Sequence, residues 1–280
     1  MMIGIRYTDG NNNTGLLKVL ALLFMFMDHA GKMLFPHIPE MRMLGRIAFP
    51  LYCWCLVLGA THTHSFPKYL LRIALVGLIS QPLYMVALNH ALTAPNIFLS
   101  LFVALIGLWG LREKRLLSQI WAPALALVLA ELLHVDYGWK GVLLVFLLWG
   151  AKESKGAIAA VMIAFCLFWG SGSSTVTSIL GVKLTGLSRS TLGSLLTPFL
   201  KLQTLALLAL PLMLIPMGTR FRLPKWLGYT LYPLHLVLLI GLEYLLNKPL
   251  HWHHLTNAWH QLSGIGMELL NTCQQFLSQL

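Results

Sequence analysis

Apolar residues run along this chain in blocks of about 20, the length a helix needs to cross bilayer hydrocarbon, separated by short stretches rich in Lys, Arg, Gly, Pro and Asn. The blocks predict about nine spans, at 16–35, 44–61, 69–88, 97–111, 120–134, 141–151, 157–170, 200–217 and 227–246. The sixth is short. Residues 171–200, rich in Ser, Thr and Gly, predict a loop or re-entrant segment with room for a tenth element. After the ninth block, Leu255, Trp259, Leu262, Leu269, Cys273, Leu277 and Leu280 recur mostly at spacings of three, four or seven. That is one apolar helical face, expected to lie on membrane lipid. The reading is an all-α, polytopic transmembrane bundle: a polar head at 1–15, a membrane domain at 16–246 and an amphipathic segment at 247–280.

Composition agrees, with 57% hydrophobic and 10% charged residues and a mean hydropathy of +0.73, where a soluble domain carries about 25% charged residues. Twenty Lys and Arg against nine Asp and Glu leave a formal charge of +11. Those charges sit in short loops with no basic stripe interleaved with aromatics, which argues against nucleic acid and for topology. The Lys/Arg-bearing loops are those of Lys68 and Arg72, of Arg112, Lys114 and Arg115, of Lys152 and Lys155, and of Arg220, Arg222 and Lys225. They are expected on the cytoplasmic side, which puts the N-terminus inside and the C-terminus outside. The first block lacks a following small-residue cleavage site and reads as a retained anchor. Cys53, Cys55, Cys166 and Cys273 form no metal-type pair and read as small buried hydrophobes.

Ionisable groups inside a span cost at least about 2.5–3.5 kcal/mol each at the helix centre, so each needs a reason. The first block holds two in LFMFMDHAGKMLF: Asp28 and His29, about 18 Å along the helix from Leu16 and past mid-membrane. The second opens MRMLGRIAFP, bringing in Arg46 at comparable depth, one turn from Arg42. Pairing Arg46 with Asp28 would neutralise both. Asp28, or the groups bonded to it, would then set the tautomer of His29, leaving a base in a dry site. The bland alternative is a polar clasp between two helices.

Weaker candidates follow. His235, in YTLYPLHL, sits near mid-membrane just after Pro233, a natural site of backbone irregularity. Asp136 and Tyr137, in HVDYGWKG, fall at the outer mouth, where a solvated loop aspartate is the plain alternative. Gln81, in LISQPLY, stands beside the helix-breaking Pro82 and would bond a freed carbonyl or a ligand. His62 and His64 look interfacial. The HWHH run at 251–254 lacks a carboxylate or cysteine at useful spacing, so no metal site is expected. Phosphate-cradling glycine loops, hydrolase elbows and zinc-protease motifs do not occur.

In order along the chain, DHAG, LGRIAFPLY, KYLLRIALVGLISQP, DYGWKG and YPLHL resemble the TraX family, membrane acetyltransferases named for the enzyme that acetylates the N-terminus of conjugative pilin. The resemblance runs from about residue 16 to 246, with DH and GRIAFPL its most specific parts. It implies a multi-pass enzyme of the bacterial cytoplasmic membrane that moves acetyl from acetyl-CoA to an amine or hydroxyl. It also implies His29 as base with Asp28 its partner, His235 as a second catalytic group, Arg46 as a substrate or thioester ligand, and Tyr137 and Gly138 as the family's YG turn; Gln81, Asp136 and Tyr137 are expected beside Arg46 toward substrate. Arg112, Lys114, Arg115, Arg220, Arg222 and Lys225 would meet the phosphates of acetyl-CoA from the cytoplasm; topology alone is the competing account of those loops. The polar head and residues 171–200 depart from the pilin enzyme's pattern and leave the acceptor open: a pilin amino terminus, a polysaccharide or a small molecule.

Two other classes compete. The same charged cluster would serve a proton-coupled transporter, though no internal repeat or inverted pair of broken helices is visible. A noncatalytic subunit that grips a partner's membrane helix would want small-residue faces, and GxxxG-like spacing is sparse.

Overall fold

The computed structural model describes residues 14–113, 115–184, 191–215, 223–246 and 249–278. The chain is helical nearly throughout: α1 Gly15–Met33, α2 Pro39–Gly45, α3 Ala48–His62, α4 Phe66–Leu88, α5 Ile97–Glu113, α6 Leu116–Leu132, α7 Gly138–Ala151, α8 Lys155–Ser171, α9 Thr191–Leu196, α10 Leu210–Leu214, α11 Lys225–Leu245 and α12 His253–Ser278. Polarity is inverted relative to a soluble bundle. Leu116, Leu117, Ile120, Trp121, Leu125 and Leu132 of α6 are exposed, as are Leu71, Leu75, Leu78 and Ile79 of α4, while Asp28, His29, Arg46, Gln81, Asn96, Gln203 and His235 are buried. An apolar exterior, with the few ionisable groups gathered inside an otherwise apolar core, is the arrangement a bilayer demands.

Pro39–His62, Phe66–Leu88 and Trp226–Leu245 are long and apolar enough to cross a membrane. Helix α1 has the length, but carries Lys18, Asp28 and Lys32 within its 19 residues. Shorter apolar helices fill out the bundle, including α7 of 14 residues, short of the 20 or so that bilayer hydrocarbon asks for.

Three features position the site. The second apolar block bends at Arg46, which caps α2 before α3 restarts at Ala48. Pro50 is the cause: it has no N–H to offer the carbonyl of Arg46, four residues back. From there α3 runs through the centre of the molecule, with Phe49, Leu51, Cys53, Trp54, Leu56 and Val57 all buried. The expected span at 200–217 is instead broken: a 3-10 helix at Leu202–Ala209 continues as α10. This irregular backbone lies inside the protein against α8, where Thr204 donates to the Cys166 carbonyl at 3.3 Å and a Cβ on Gly170 would strike the Thr204 side chain. Within 171–200 the described part is a loop with a two-strand hairpin, Ser178–Ile179 against Val182–Lys183, clipped to α2 by the Leu180 N–H donating to Glu40 at 2.8 Å, and then the short α9 followed by a 3-10 helix at Thr197–Leu200. Alternate helices run in opposite directions, so the loops at 34–38, 89–96 and 133–137 share one end of the bundle and those at 63–65 and 152–154 the other. Helix α12 packs against α4 at the first of these ends, where His254 bonds Asn89 at 2.7 Å.

Candidate active site

Asp28 and His29, neighbours on α1, point about 100° apart and serve different partners. The Asp28 carboxylate accepts from Arg46 and, at 3.2 Å, from the Arg42 Nε. Arg42 and Arg46 lie one turn apart on the short α2 and its cap, and Arg46 Nε also donates to the Arg42 carbonyl at 3.3 Å. Close approach of α2 to α1 requires Gly45: a Cβ there would overlap the Asp28 side chain. This gives the LGR of the sequence a steric reason as well as an electrostatic one.

The expectation that Asp28 partners His29 is corrected. His29 Nδ1 stands 3.1 Å from His235 Nε2, the two rings stacked with centroids 5.3 Å apart. Pro233 sits within α11 two residues before His235. The carbonyls of Tyr232 and Leu231 lie beside the His235 ring, whose Nδ1 has no partner in full hydrogen-bond geometry among the described residues. Tyr84 meets His29 edge-on at 6.4 Å, and Tyr232 meets His235 at 5.0 Å.

Asp136 and Tyr137 close the chamber from the loop between α6 and α7. Tyr137 adopts a left-handed φ of 65° at the start of α7 and stacks on Phe49 at 4.1 Å. Ser100 Oγ holds the Asp136 carbonyl at 2.8 Å. Burial raises the Asp136 carboxyl to about 6, with Asp28 adding to the rise and the Arg46 guanidinium opposing it. At the rim the Lys32 ammonium donates to His90 Nε2 at 2.8 Å. Burial, and then that ammonium, lower His90 to about 4 and keep it a neutral acceptor.

Other expected ligands carry structural bonds. Gln81 donates to the Ala94 carbonyl at 3.0 Å and accepts from both the backbone N–H and the side-chain amide of Asn96, each at 2.9 Å. It pins the 89–96 loop, using both lone pairs of Oε1 and one of its two Nε2 donors. Arg112 spends its guanidinium on the carbonyls of Ala60 and Thr63, both at 3.0 Å, capping the α3 C-terminus. Arg115 is exposed ahead of α6. Lys114, Arg220 and Arg222 lie outside the described residues, as does the side chain of Lys225. At HWHH, His254 bonds Asn89, and among the described residues no three His, Cys, Asp or Glu side chains gather around a metal position.

Sequence reasoning passed over Arg42, Tyr84 and Tyr232 as site residues. The signal for Arg42 was its i, i+4 relation to Arg46, and for Tyr232 its i, i+3 relation to His235, each pair sharing a helix face. Tyr84 had none, because its approach to His29 is set by how α4 crosses α1.

Part of the chain is 30% identical, over 136 residues, to the "Probable fimbrial assembly protein FimC, serogroup H1" of Dichelobacter nodosus, covering 44% of this chain and 55% of that protein. A 92-residue stretch is 35% identical to an uncharacterized protein of Rickettsia prowazekii (strain Madrid E), covering 33% of this chain and 35% of that one. The chain thus spans about half or less of the length of these curated relatives. No solved structure matches it. The TraX protein family matches residues 13–243, from the start of α1 nearly to the end of α11 and across every residue of the chamber, and the chain belongs to that family.

Proposed function

We propose that this protein is a membrane-embedded acetyltransferase that moves an acetyl group from acetyl-CoA to an amine or hydroxyl acceptor. The observation that carries the reading is the buried His29–His235 pair set beside an Asp28 carboxylate neutralised by Arg42 and Arg46. A histidine pair stacked out of reach of water supplies a base, and the guanidinium one helix away supplies charge where an oxyanion would form.

The tautomers follow from the acceptors. With the Tyr232 and Leu231 carbonyls beside its ring, His235 carries its proton on Nδ1. Its Nε2 then accepts from His29 Nδ1–H, which leaves the His29 Nε2 lone pair to take a proton. The acceptor nitrogen or oxygen attacks the thioester carbonyl; the new C–N or C–O bond forms, the C–S bond breaks, His29 takes the acceptor's proton and the departing thiolate takes it on as free CoA thiol. Arg46 spends Nε and Nη2 within the protein, which leaves its Nη1 donors to serve the developing oxyanion. Asp136 borders the acceptor side.

The FimC relative's printed name, a probable fimbrial assembly protein, favours a pilin-like amino terminus as acceptor. The reading puts the enzyme in a bacterial inner membrane, supported by the apolar helices and the family, with acetyl-CoA arriving at the Lys/Arg-rich end. The test is thiol release from acetyl-CoA by the protein in lipid nanodiscs, with pilin peptides, saccharides and small amines as acceptors. Acceptor-dependent release that is lost in His29→Ala and His235→Ala, with unfolding temperature retained, is the expected result. Release at the wild-type rate in His29→Ala would remove the base assignment, and acetyl-CoA left intact with every acceptor would remove the function.

A further inference from the structure

On the far side of the histidine pair, a cleft enters between α1, α3, α4, α5 and α11 from the opposite end of the bundle. Its mouth has Lys18, Tyr69 and Tyr229, and its inner reach has Cys55, Tyr52 and Phe98. We propose that this cleft holds the phosphopantetheine arm of an acyl-CoA donor, with Lys18 at the phosphates and the thioester delivered past Tyr232 to His29. The assignment rests on the acyltransferase reading above.

Continuity is the first argument. Phe98 touches Tyr232 at 4.5 Å between centroids and Tyr232 touches His235 at 5.0 Å, so one ring separates the blind end of the cleft from the histidine pair and His235 alone then separates it from His29. Along α1, Lys18 and His29 are separated by roughly 16 Å at 1.5 Å per residue, a span for a long thin chain and not for a compact solute. The lining is the second argument. Three tyrosine hydroxyls spaced along an apolar wall suit an arm that alternates amides with methylenes; a lipid tail would have no use for them. The third argument is the Tyr232 hydroxyl, fully buried with no hydrogen-bond partner among the described residues. An orphaned buried donor is costly, and a thioester carbonyl arriving from the cleft would satisfy it.

The mouth has the right charge. Lys18 has no carboxylate partner among the described residues, and Arg72 bonds Tyr229 beside it. Gly228 keeps the entrance open: a Cβ there would sit 3.3 Å from Leu223 and 3.9 Å from the Lys18 chain, so a leucine would fill the gap. The basic loops nominated from sequence are not needed for this assignment, and Arg112 is committed elsewhere.

Cys55 reports on the cleft directly. In full-length protein in nanodiscs, with Cys53, Cys166 and Cys273 replaced by Ala, a small methanethiosulfonate should modify Cys55. Desulfo-CoA, at ten times its dissociation constant, should slow that reaction about tenfold, whereas adenosine bisphosphate, the head group without the arm, should not. Gly228→Leu should raise the KM for acetyl-CoA and leave kcat and unfolding temperature near wild type. Unprotected labelling in a preparation that still releases CoA thiol overturns the cleft assignment and leaves acyl transfer standing. Protection in a preparation that transfers acetyl to no acceptor supports the cleft and removes the transfer. A Cys55 that never reacts shows the cleft closed, and an unchanged KM in Gly228→Leu shows the donor elsewhere; either overturns the proposal.

Discussion

Asp28, Arg42 and Arg46 form a three-membered cluster with one negative and two positive charges, and its members differ in burial. Arg46 and Asp28 are 8% and 9% exposed, whereas the Arg42 side chain is 37% exposed. Asp28→Asn leaves two cations and strips the buried one of its partner, a change that costs about 3–5 kcal/mol. Arg46→Gln is milder despite removing the more buried base: Asp28 still has Arg42 at 3.2 Å, and the loss is about 1–2 kcal/mol of hydrogen bonding. Arg42→Gln, at the solvated edge, should cost about 0–1 kcal/mol. The double variant Asp28→Asn with Arg46→Gln should be more stable than Asp28→Asn alone, by a coupling of about 1–3 kcal/mol. At about 2–4 °C per kcal/mol for a chain of this size, Asp28→Asn should lower Tm by roughly 6–20 °C. Thermal unfolding in detergent, followed by the fluorescence of the buried Trp54 among the tryptophans, measures the order. Should Arg46→Gln destabilise as much as Asp28→Asn, the neutralisation argument is wrong and the cluster is held by packing.

Three further outcomes are expected. Gly45→Ala drives a methyl into Asp28 and should cost about 1–3 kcal/mol by overpacking, while Gly150→Ala, with open space around it, should be neutral or stabilising by about 0.5–1 kcal/mol; the two Tm values compared in one preparation decide it. Gln81→Ala orphans the Ala94 carbonyl and two Asn96 donors, for a loss of about 1–3 kcal/mol in stability, and should leave the KM for acetyl-CoA unchanged, which a ligand role would not. The folded protein raises Asp136 from 3.8 to about 6, so it keeps a proton that the unfolded chain has lost; its contribution to stability therefore declines as pH rises from about 4 to about 6 and is level above that. A pH series of unfolding midpoints should lose this decline in Asp136→Asn, and an identical profile would show that Asp136 titrates normally.

Helices were legible because their signal is local: apolar blocks of bilayer length between charged loops locate α1, α4, α6 and α11 to within a few residues of where they lie. The chemistry of single positions was legible for a related reason, since Asp28, His29, Arg46 and His235 are expensive inside apolar blocks and stand out for that alone. Pairing was not. Which neighbour His29 meets depends on how α11 crosses α1, and no spacing along either helix encodes a contact over 206 residues. Arg112 and Gln81 illustrate the opposite: both are conspicuous by type, and both bond backbone carbonyls or amides that a sequence does not show to be in need of a partner. The broken segment at Leu202–Ala209 reads as a span because its composition is apolar; its tightened 3-10 backbone follows from packing Gln203, Thr204, Ala206 and Ala209 into the protein against α8, which no spacing encodes.

Charge accounting links the chamber to its chemistry. The cluster of Asp28, Arg42 and Arg46 carries one net positive charge next to a histidine pair that shares a hydrogen bond. In a medium of low polarity such a surplus favours whatever gains negative charge nearby and penalises an approaching cation. A thioester carbonyl becoming an oxyanion gains negative charge, so the surplus works in favour of acyl transfer. An ammonium does not, so in the proposed reaction an amine acceptor would reach the chamber neutral, and the Asp136 carboxylate at the rim, ionised above about 6, would be the group to take its proton. The second arginine thus has an account that a simple clasp between helices would not supply: one guanidinium suffices to neutralise Asp28, and the other sets the sign of the field in which His29 works.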